Sequence, residues 1–263
     1  MPVTVLLVEG ELDAQIVNAL LQDRMPGSAP LVEQGGSKGS LAPKCRDRRK
    51  NTPDTYYLRD RDFDFDPSTH ERLEPMPGDL GWRWSRHEIE SYLLDPGLAS
   101  RALGSTKDTI SAALVAGALE IREYQAARWV IGRIRRELPP SRELPTGATR
   151  ALRLPDKLDT ESIGLWLAER VGAFREKIVP LLDPAAVEAS RTKALAEMPV
   201  FQSAQEALAW CSGKDLMAVV APRLGFASEA PRLRTRLRDW VMEHPHDALE
   251  LIPEWRDLLA VLA

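Results

Sequence analysis

Residues 3–13 read VTVLLVEGELD, and residues 56–66 answer them with YYLRDRDFDFD. Each stretch opens on an apolar run of the length and composition of a buried strand and passes at once into carboxylates. Ligands in open α/β sheets sit at the carboxyl ends of the strands. Two such strands in one sheet therefore deliver Glu9, Asp13, Asp60 and Asp62 to a common edge. Like charges a few ångströms apart cannot all stay ionised without a counter-charge, and the natural one for an all-oxygen set is a hard divalent cation, Mg²⁺ above all.

Working outward from the first stretch, residues 3–8 read as a strand, and Leu12, Ile16, Leu20 and Leu21 then recur at helical spacing. Glu9 falls in the turn between them. Asp13 falls on the first helical turn, where the macrodipole alone favours a carboxylate by a few tenths to ~1 kcal/mol, so it has a purely structural reading as well. Residues 31–33 form a weak second strand ending at Gly35-Gly36, and Ser37 is placed to cap a helix running through Leu41 and Cys45. The segment GGSKGS is not a Walker loop, because it lacks the spacing and the final Lys-Ser/Thr order; a tight turn accounts for it equally well. Lys44, Arg46, Arg48, Arg49 and Lys50 make the densest basic run, which reads as a solvated face or as a phosphate-contacting one.

The second stretch supplies a third strand over 55–58, and the alternation that follows puts Asp60, Asp62 and Asp64 on one side of an extended chain. Counted from Asp60, the acids also fall at positions 1, 3, 5 and 7, with Glu71 at 12, the register of an EF-hand calcium loop. Phe65 stands where that loop needs glycine, Pro67 follows, and a strand precedes in place of a helix, so the calcium reading is disfavoured. Residues 75–81 are turn-rich, 81–84 alternate like a short edge strand, and 85–94 read as a helix stopped by Pro96. Ser85 and Glu88 have capping-box spacing, which gives Glu88 a structural task and leaves Glu90 without one; on the residues alone Glu90 reads as a plain exposed helix acid.

From Leu98 onward no convincing strand remains. Helical patterns run over 108–137, 161–182, 184–196, 203–210, 215–224, 231–243 and 247–262, with a linker-like segment at 141–155 and no fixed period that would make a repeat. Trp129, Trp166, Trp210, Trp240 and Trp255 lie within apolar faces and read as core. The expected division is thus an α/β domain over 1–97 and a helical domain over 98–263.

Composition narrows the function classes. The chain has 263 residues, a formal net charge of −4, and 44% hydrophobic and 28% charged residues, which excludes a disordered protein and any global basic field. Residues 1–100 carry 12 Lys and Arg against 17 Asp and Glu, so the acidic excess lies with the suspected site. Cys45 and Cys211 form neither a zinc pattern nor a disulfide framework, and no signal peptide or membrane span is evident, so a cytoplasmic protein without membrane association is expected. Gly213-Lys214 has no upstream glycine and is followed by Asp215, so ATP hydrolysis by this chain alone is not expected.

VEGELD followed by RDRD resembles the TOPRIM domain, the catalytic module of topoisomerases, bacterial primases, recombination proteins and OLD-family nucleases. Glu9 matches the family glutamate, Asp60 and Asp62 match its DxD pair, and Gly35-Gly36 is similar to its glycine turn. RHEIESYLLDP (86–96) and SGKDLM (212–217) narrow the resemblance to a TOPRIM-related group that includes the nuclease subunit of paired ATPase/TOPRIM antiphage systems such as the PARIS type; there a glutamate before the Ser/Asn-Tyr pair recurs, here Glu90. The resemblance implies a Rossmann-like, mostly parallel sheet flanked by helices and followed by an all-α C-terminal region. It further implies a Mg²⁺- or Mn²⁺-dependent endonuclease acting on DNA or structured RNA such as tRNA, as the defence effector of a separate ABC-type ATPase. Glu9, Asp13, Asp60, Asp62 and Glu90 would ligate metal, with Glu9 a candidate general base only where it stands too far from the metal to ligate it, and Lys38 or Lys214 would neutralise charge on the phosphate. A homodimer is left open. The alternative is a non-catalytic binding or regulatory subunit with a degenerate TOPRIM fold. A topoisomerase or primase fragment fits poorly, because Tyr56 and Tyr57 fall in a strand and no zinc-binding cysteine set is present.

Overall fold

The computed structural model describes residues 3–68, 70–138, 160–227 and 229–263. It is an α/β protein: a mostly parallel five-stranded sheet flanked by helices, with a helical C-terminal part. The sheet contains β1 (Val5–Val8), β2 (Leu31–Gln34), β3 (Thr55–Arg59), β4 (Glu74–Pro75) and β5 (Gly81–Arg83), in the order β2-β1-β3-β5-β4. β1 pairs in parallel with β2 and with β3, β3 pairs in parallel with β5, and β4 alone runs antiparallel.

This order has a consequence for position. The chain leaves β1 through α1 (Glu11–Arg24) toward β2 on one side, then returns through α2 (Lys38–Arg48) to β3 on the other side of β1. Because parallel crossovers are right-handed, the two helices cover opposite faces, and the strand order reverses between β1 and β3. The crevice beyond their carboxyl ends is where Glu9 and Asp60 begin.

Packing explains why β1 reads as unbroken apolar sequence. Val5 and Leu7 join Leu41, Cys45, Tyr57, Met76 and Leu80 in one buried cluster, while Leu6 and Val8 are fully buried from the other face. On α1, Ile16, Val17, Leu20 and Leu21 are buried at helical spacing. The glycine turn after β2 is dictated by sterics: a Cβ on Gly35 would come within 2.2 Å of a Leu41 methyl, and Gly36 has φ +85°. Both observations fit the tight-turn reading.

Two expectations fail locally. The strand at 81–84 is not an edge strand, because β4 pairs outside it and Glu74 forms an ion pair with Arg83 across that seam. The helix expected from residue 85 starts only at Ile89, as α3 (Ile89–Leu93), and the Ser85–Glu88 capping box does not form. The Ser85 backbone N–H and hydroxyl donate instead to Glu254 at 2.7 and 2.6 Å, partners 169 residues away that outcompete the local cap.

The helical sequence folds as α4 (Pro96–Leu103), α5 (Lys107–Glu120), α6 (Arg122–Glu137), α7 (Thr160–Leu182), α8 (Pro184–Glu197), α9 (Ala204–Trp210), α10 (Gly213–Val220), α11 (Ala230–Glu243), α12 (Pro245–Leu251) and α13 (Pro253–Leu262). Among the described residues no strand follows β5. Trp129, Trp240 and Trp255 are buried and Trp210 is half-buried, while the Trp166 side chain and the 141–155 linker lie outside the described residues. The chain divides into two compact units, residues 1–125 with 199–263, and residues 126–198. The division expected after residue 97 falls inside α4. The first unit extends further because α11 and α12 pack on α1, and α10 packs on α3. No described helix is long and apolar enough to cross a membrane.

Candidate metal and acid site

Four elements of the first unit bring the acids together. β1 ends into Glu9, β3 ends into Asp60, α1 carries Asp13 on its first turn, and α3 carries Glu90. The β1–β3 register, Val5 opposite Thr55 through Leu7 opposite Tyr57, continued past the strand ends leaves Glu9 and Asp60 one residue out of step, and the Asp60 N–H donates to Glu9 Oε1 at 3.2 Å. Asp62 follows in a turn with φ +49°, a left-handed conformation that a non-glycine residue adopts at a cost of ~1 kcal/mol or more, and its N–H is held by the His87 carbonyl at 3.0 Å. Asp13 accepts from the Gly10 N–H at 3.2 Å, so the helix-end role expected of it is present, but its side chain is also buried among the other acids.

Electrostatics measures how crowded these carboxylates are. Burial, with the neighbouring charge of Asp62, raises the Glu9 pKa from an ordinary 4.5 to about 7. Burial and the Glu90 charge raise Asp13 from 3.8 to about 6. Asp60 is raised well above the ordinary range by burial and then by Asp13, Glu9, Asp62 and Glu88. One oxygen of Asp60, Oδ1, is buried with no hydrogen-bond partner. An orphaned buried carboxylate oxygen is costly, and its explanation is an ordered water, an ion, a reacting group or local strain.

Glu88 and Glu90 diverge. Glu88 Oε1 accepts from Ser212 Oγ at 2.7 Å and from the Lys214 N–H at 2.9 Å, so this side chain secures the start of α10, a different structural task from the one its sequence spacing suggests. Glu90 is buried on the side of Asp13, 3.5 Å from Lys214 Nζ and 3.7 Å from Arg234 Nη1. The crossing of α3 and α10 that makes this possible requires Gly213: a Cβ there would lie 2.4 Å from the Ser91 nitrogen and 2.7 Å from the Glu90 carbonyl carbon. Desolvation opposes the Lys214 charge, but Glu88, Glu90, Asp60 and Asp62 outweigh it and hold its pKa above the ordinary lysine value.

Of these acids, Asp13 and Glu90 border a cleft of about 350 Å³, whose walls also include Lys214, Arg234 and Arg238. The arginines escape a motif search; the signal was four arginines at alternate positions, 232 to 238, in a chain of net negative charge. Lys38 begins α2, and its side chain lies outside the described residues. In the basic run, Arg48 pairs with Glu33, Lys50 with Asp47, and Arg49 donates to the Thr55 and Asp79 carbonyls, so these three have local partners. Phe65, at the glycine position of the calcium register, lies beneath the Arg83 guanidinium, 3.7 Å from its ring centre.

The donor set fits a hard divalent cation. It is all oxygen, its members repel one another, and Asp60 holds an unmatched acceptor. Among the described residues no three His, Cys, Asp or Glu side chains are drawn together as tightly as metal ligands are, so the acids line one edge without forming a closed cage. Glu9 and Asp13 each commit an oxygen to a backbone N–H. No protein-family model matches the chain, and no curated protein is significantly similar to it in sequence.

Proposed function

We propose that this protein is a metal-dependent nuclease, hydrolysing phosphodiester bonds of DNA or structured RNA. The observation that carries the reading is Asp60: a buried aspartate at the switch point of a parallel sheet, with an orphaned oxygen and with Glu9, Asp13 and Asp62 as charged neighbours. Glu9, Asp60 and Asp62, with Asp13 and Glu90, would hold Mg²⁺ or Mn²⁺. A cation there supplies Lewis-acid polarisation of a phosphate oxygen and a water of lowered pKa. Should Glu9, whose Oε1 accepts from the Asp60 N–H, stand too far from the cation to ligate it, its carboxylate would instead take a proton from an attacking water. Lys214, kept cationic by four carboxylates, and Arg234 line the cleft and would neutralise charge on a phosphate entering it. The resemblance of residues 86–96 and 212–217 to the antiphage TOPRIM group supports an effector controlled by a separate ATPase.

Purified protein incubated with plasmid and with tRNA, in Mg²⁺, Mn²⁺ or EDTA, alone and with a partner ATPase, tests the reading. Cleavage that needs metal and falls at least ~100-fold in Glu9→Ala and Asp60→Ala is expected, and equal cleavage by wild type and variants contradicts it. A second reading, a binding or regulatory subunit, is favoured by one feature: Lys214 Nζ already stands 3.5 Å from Glu90 and 3.7 Å from Glu88, an internal counter-charge that lets part of the cluster persist without metal. Mn²⁺ binding with no nucleolytic reaction under any of these conditions would select it.

A further inference from the structure

Helix α11 separates the acid cleft from a second, larger one. Successive helical residues turn by about 100°, so Arg232 and Arg236 form one row, Arg234 and Arg238 another, and the buried Leu233, Leu237, Trp240 and Val241 face the opposite side. Thr235 is the crest between the rows and borders both clefts. Beyond it lies a groove of about 910 Å³ whose charged lining is Arg223, Arg232, Arg236 and Asp239. The lining itself holds three cations against one acid, and two of the cations pair with Glu229 and Glu120, which are not part of it, in a chain of net charge −4.

The ion pairs these arginines make are of the exchangeable kind. Arg232 is 74% exposed and pairs with Glu229 at 3.1 Å, and Arg223 pairs with Glu120 at 2.5 Å on the surface. Exposed pairs are worth little, so a phosphate can replace the carboxylate at small cost, and a guanidinium fork matches phosphate oxygens. From the observed placement, we infer that this groove binds the sugar-phosphate backbone of a nucleic acid strand, which crosses α11 at Thr235 between the two arginine rows. The inference extends the nuclease reading by giving its substrate a path, and it rests on that reading for the strand's destination at the acids.

Binding is measured by fluorescence anisotropy in EDTA, so that no cleavage is needed, with a labelled DNA duplex and a labelled tRNA across a salt series. Each lost phosphate contact lowers the slope of log K against log salt by about 0.9 on duplex DNA. Arg232→Ala with Arg236→Ala should therefore lower it by roughly 2, with weaker affinity at every salt concentration and an unchanged melting temperature. Loss with the duplex alone assigns the groove to DNA, and loss with tRNA alone assigns it to RNA. Unchanged affinity and slope on both probes, or an equal loss from the matched charge change Arg191→Ala with Lys193→Ala in the second unit, overturns the assignment. A protein that binds through these arginines and never cleaves keeps the groove and removes the nuclease; an active nuclease indifferent to them does the reverse.

Discussion

Glu254 and Asp60 are both buried carboxylates of the same compact unit, and their surroundings are opposite. Glu254, on α13, accepts from the Ser85 N–H, the Ser85 hydroxyl and the Tyr92 hydroxyl, the last at 2.5 Å, and Tyr92 packs against Trp84 and Trp255. Asp60, at the end of β3, has four acidic neighbours and a buried oxygen with no partner. Burial raises the pKa of both, but around Glu254 hydrogen bonds pull against it, whereas around Asp60 neighbouring charges add to it. A buried acid with all its acceptors engaged belongs to the scaffold. One left short of partners and crowded by its own kind is poised for something the chain does not itself supply.

The comparison breaks if the two acids respond alike to substitution. Glu254→Ala leaves three donors without their acceptor and should cost about 3 kcal/mol in urea unfolding, the same with and without Mg²⁺. Glu88→Ala frees the Ser212 hydroxyl and the Lys214 N–H at the start of α10 and should cost about 1–3 kcal/mol, again without dependence on metal. Glu90→Ala should leave unfolding in EDTA within ~0.5 kcal/mol of wild type, because the lost attraction to Lys214 and Arg234 is set against relief of its repulsion with Asp13. Its mark should be a smaller metal-induced rise in melting temperature.

A separate mark of the crowding is a slope of stability with pH. Glu9 and Asp13 have folded pKa values of about 7 and 6 against ordinary values of 4.5 and 3.8, so between roughly pH 4 and 7 the folded chain holds protons that the unfolded chain releases. Stability then falls as pH rises through that window. In EDTA the melting temperature should decline from pH 5 to pH 7.5, and Glu9→Gln should flatten the decline; a rising or unchanged curve for wild type would show that the acids are not crowded as described.

What the sequence disclosed and what it hid divide along the same line. β1, α1 and β3 were legible because strands buried on both faces are unbroken apolar runs, and their ends fixed Glu9, Asp60 and Asp62 at one edge. The Ser85–Glu88 cap misled because a local pattern carries no sign of Glu254, 169 residues on. The closeness of α3 and α10 that Gly213 permits, and the approach of Arg234 to Glu90, arise from tertiary packing that no spacing encodes. The compact unit reaching 199–263 was hidden for the same reason: helices docked onto α1 look, in sequence, like a separate helical region.

The central claim is that Asp60 and its neighbours are completed by a divalent cation. Calorimetric titration of Mn²⁺ into wild type and into Asp60→Asn, a variant that keeps the side chain's size and removes its charge, tests it most directly. Saturable binding to wild type that Asp60→Asn weakens at least ~10-fold is the predicted result, since one charged ligand of few is lost. Equal binding by both proteins, or no binding to wild type, would contradict the account.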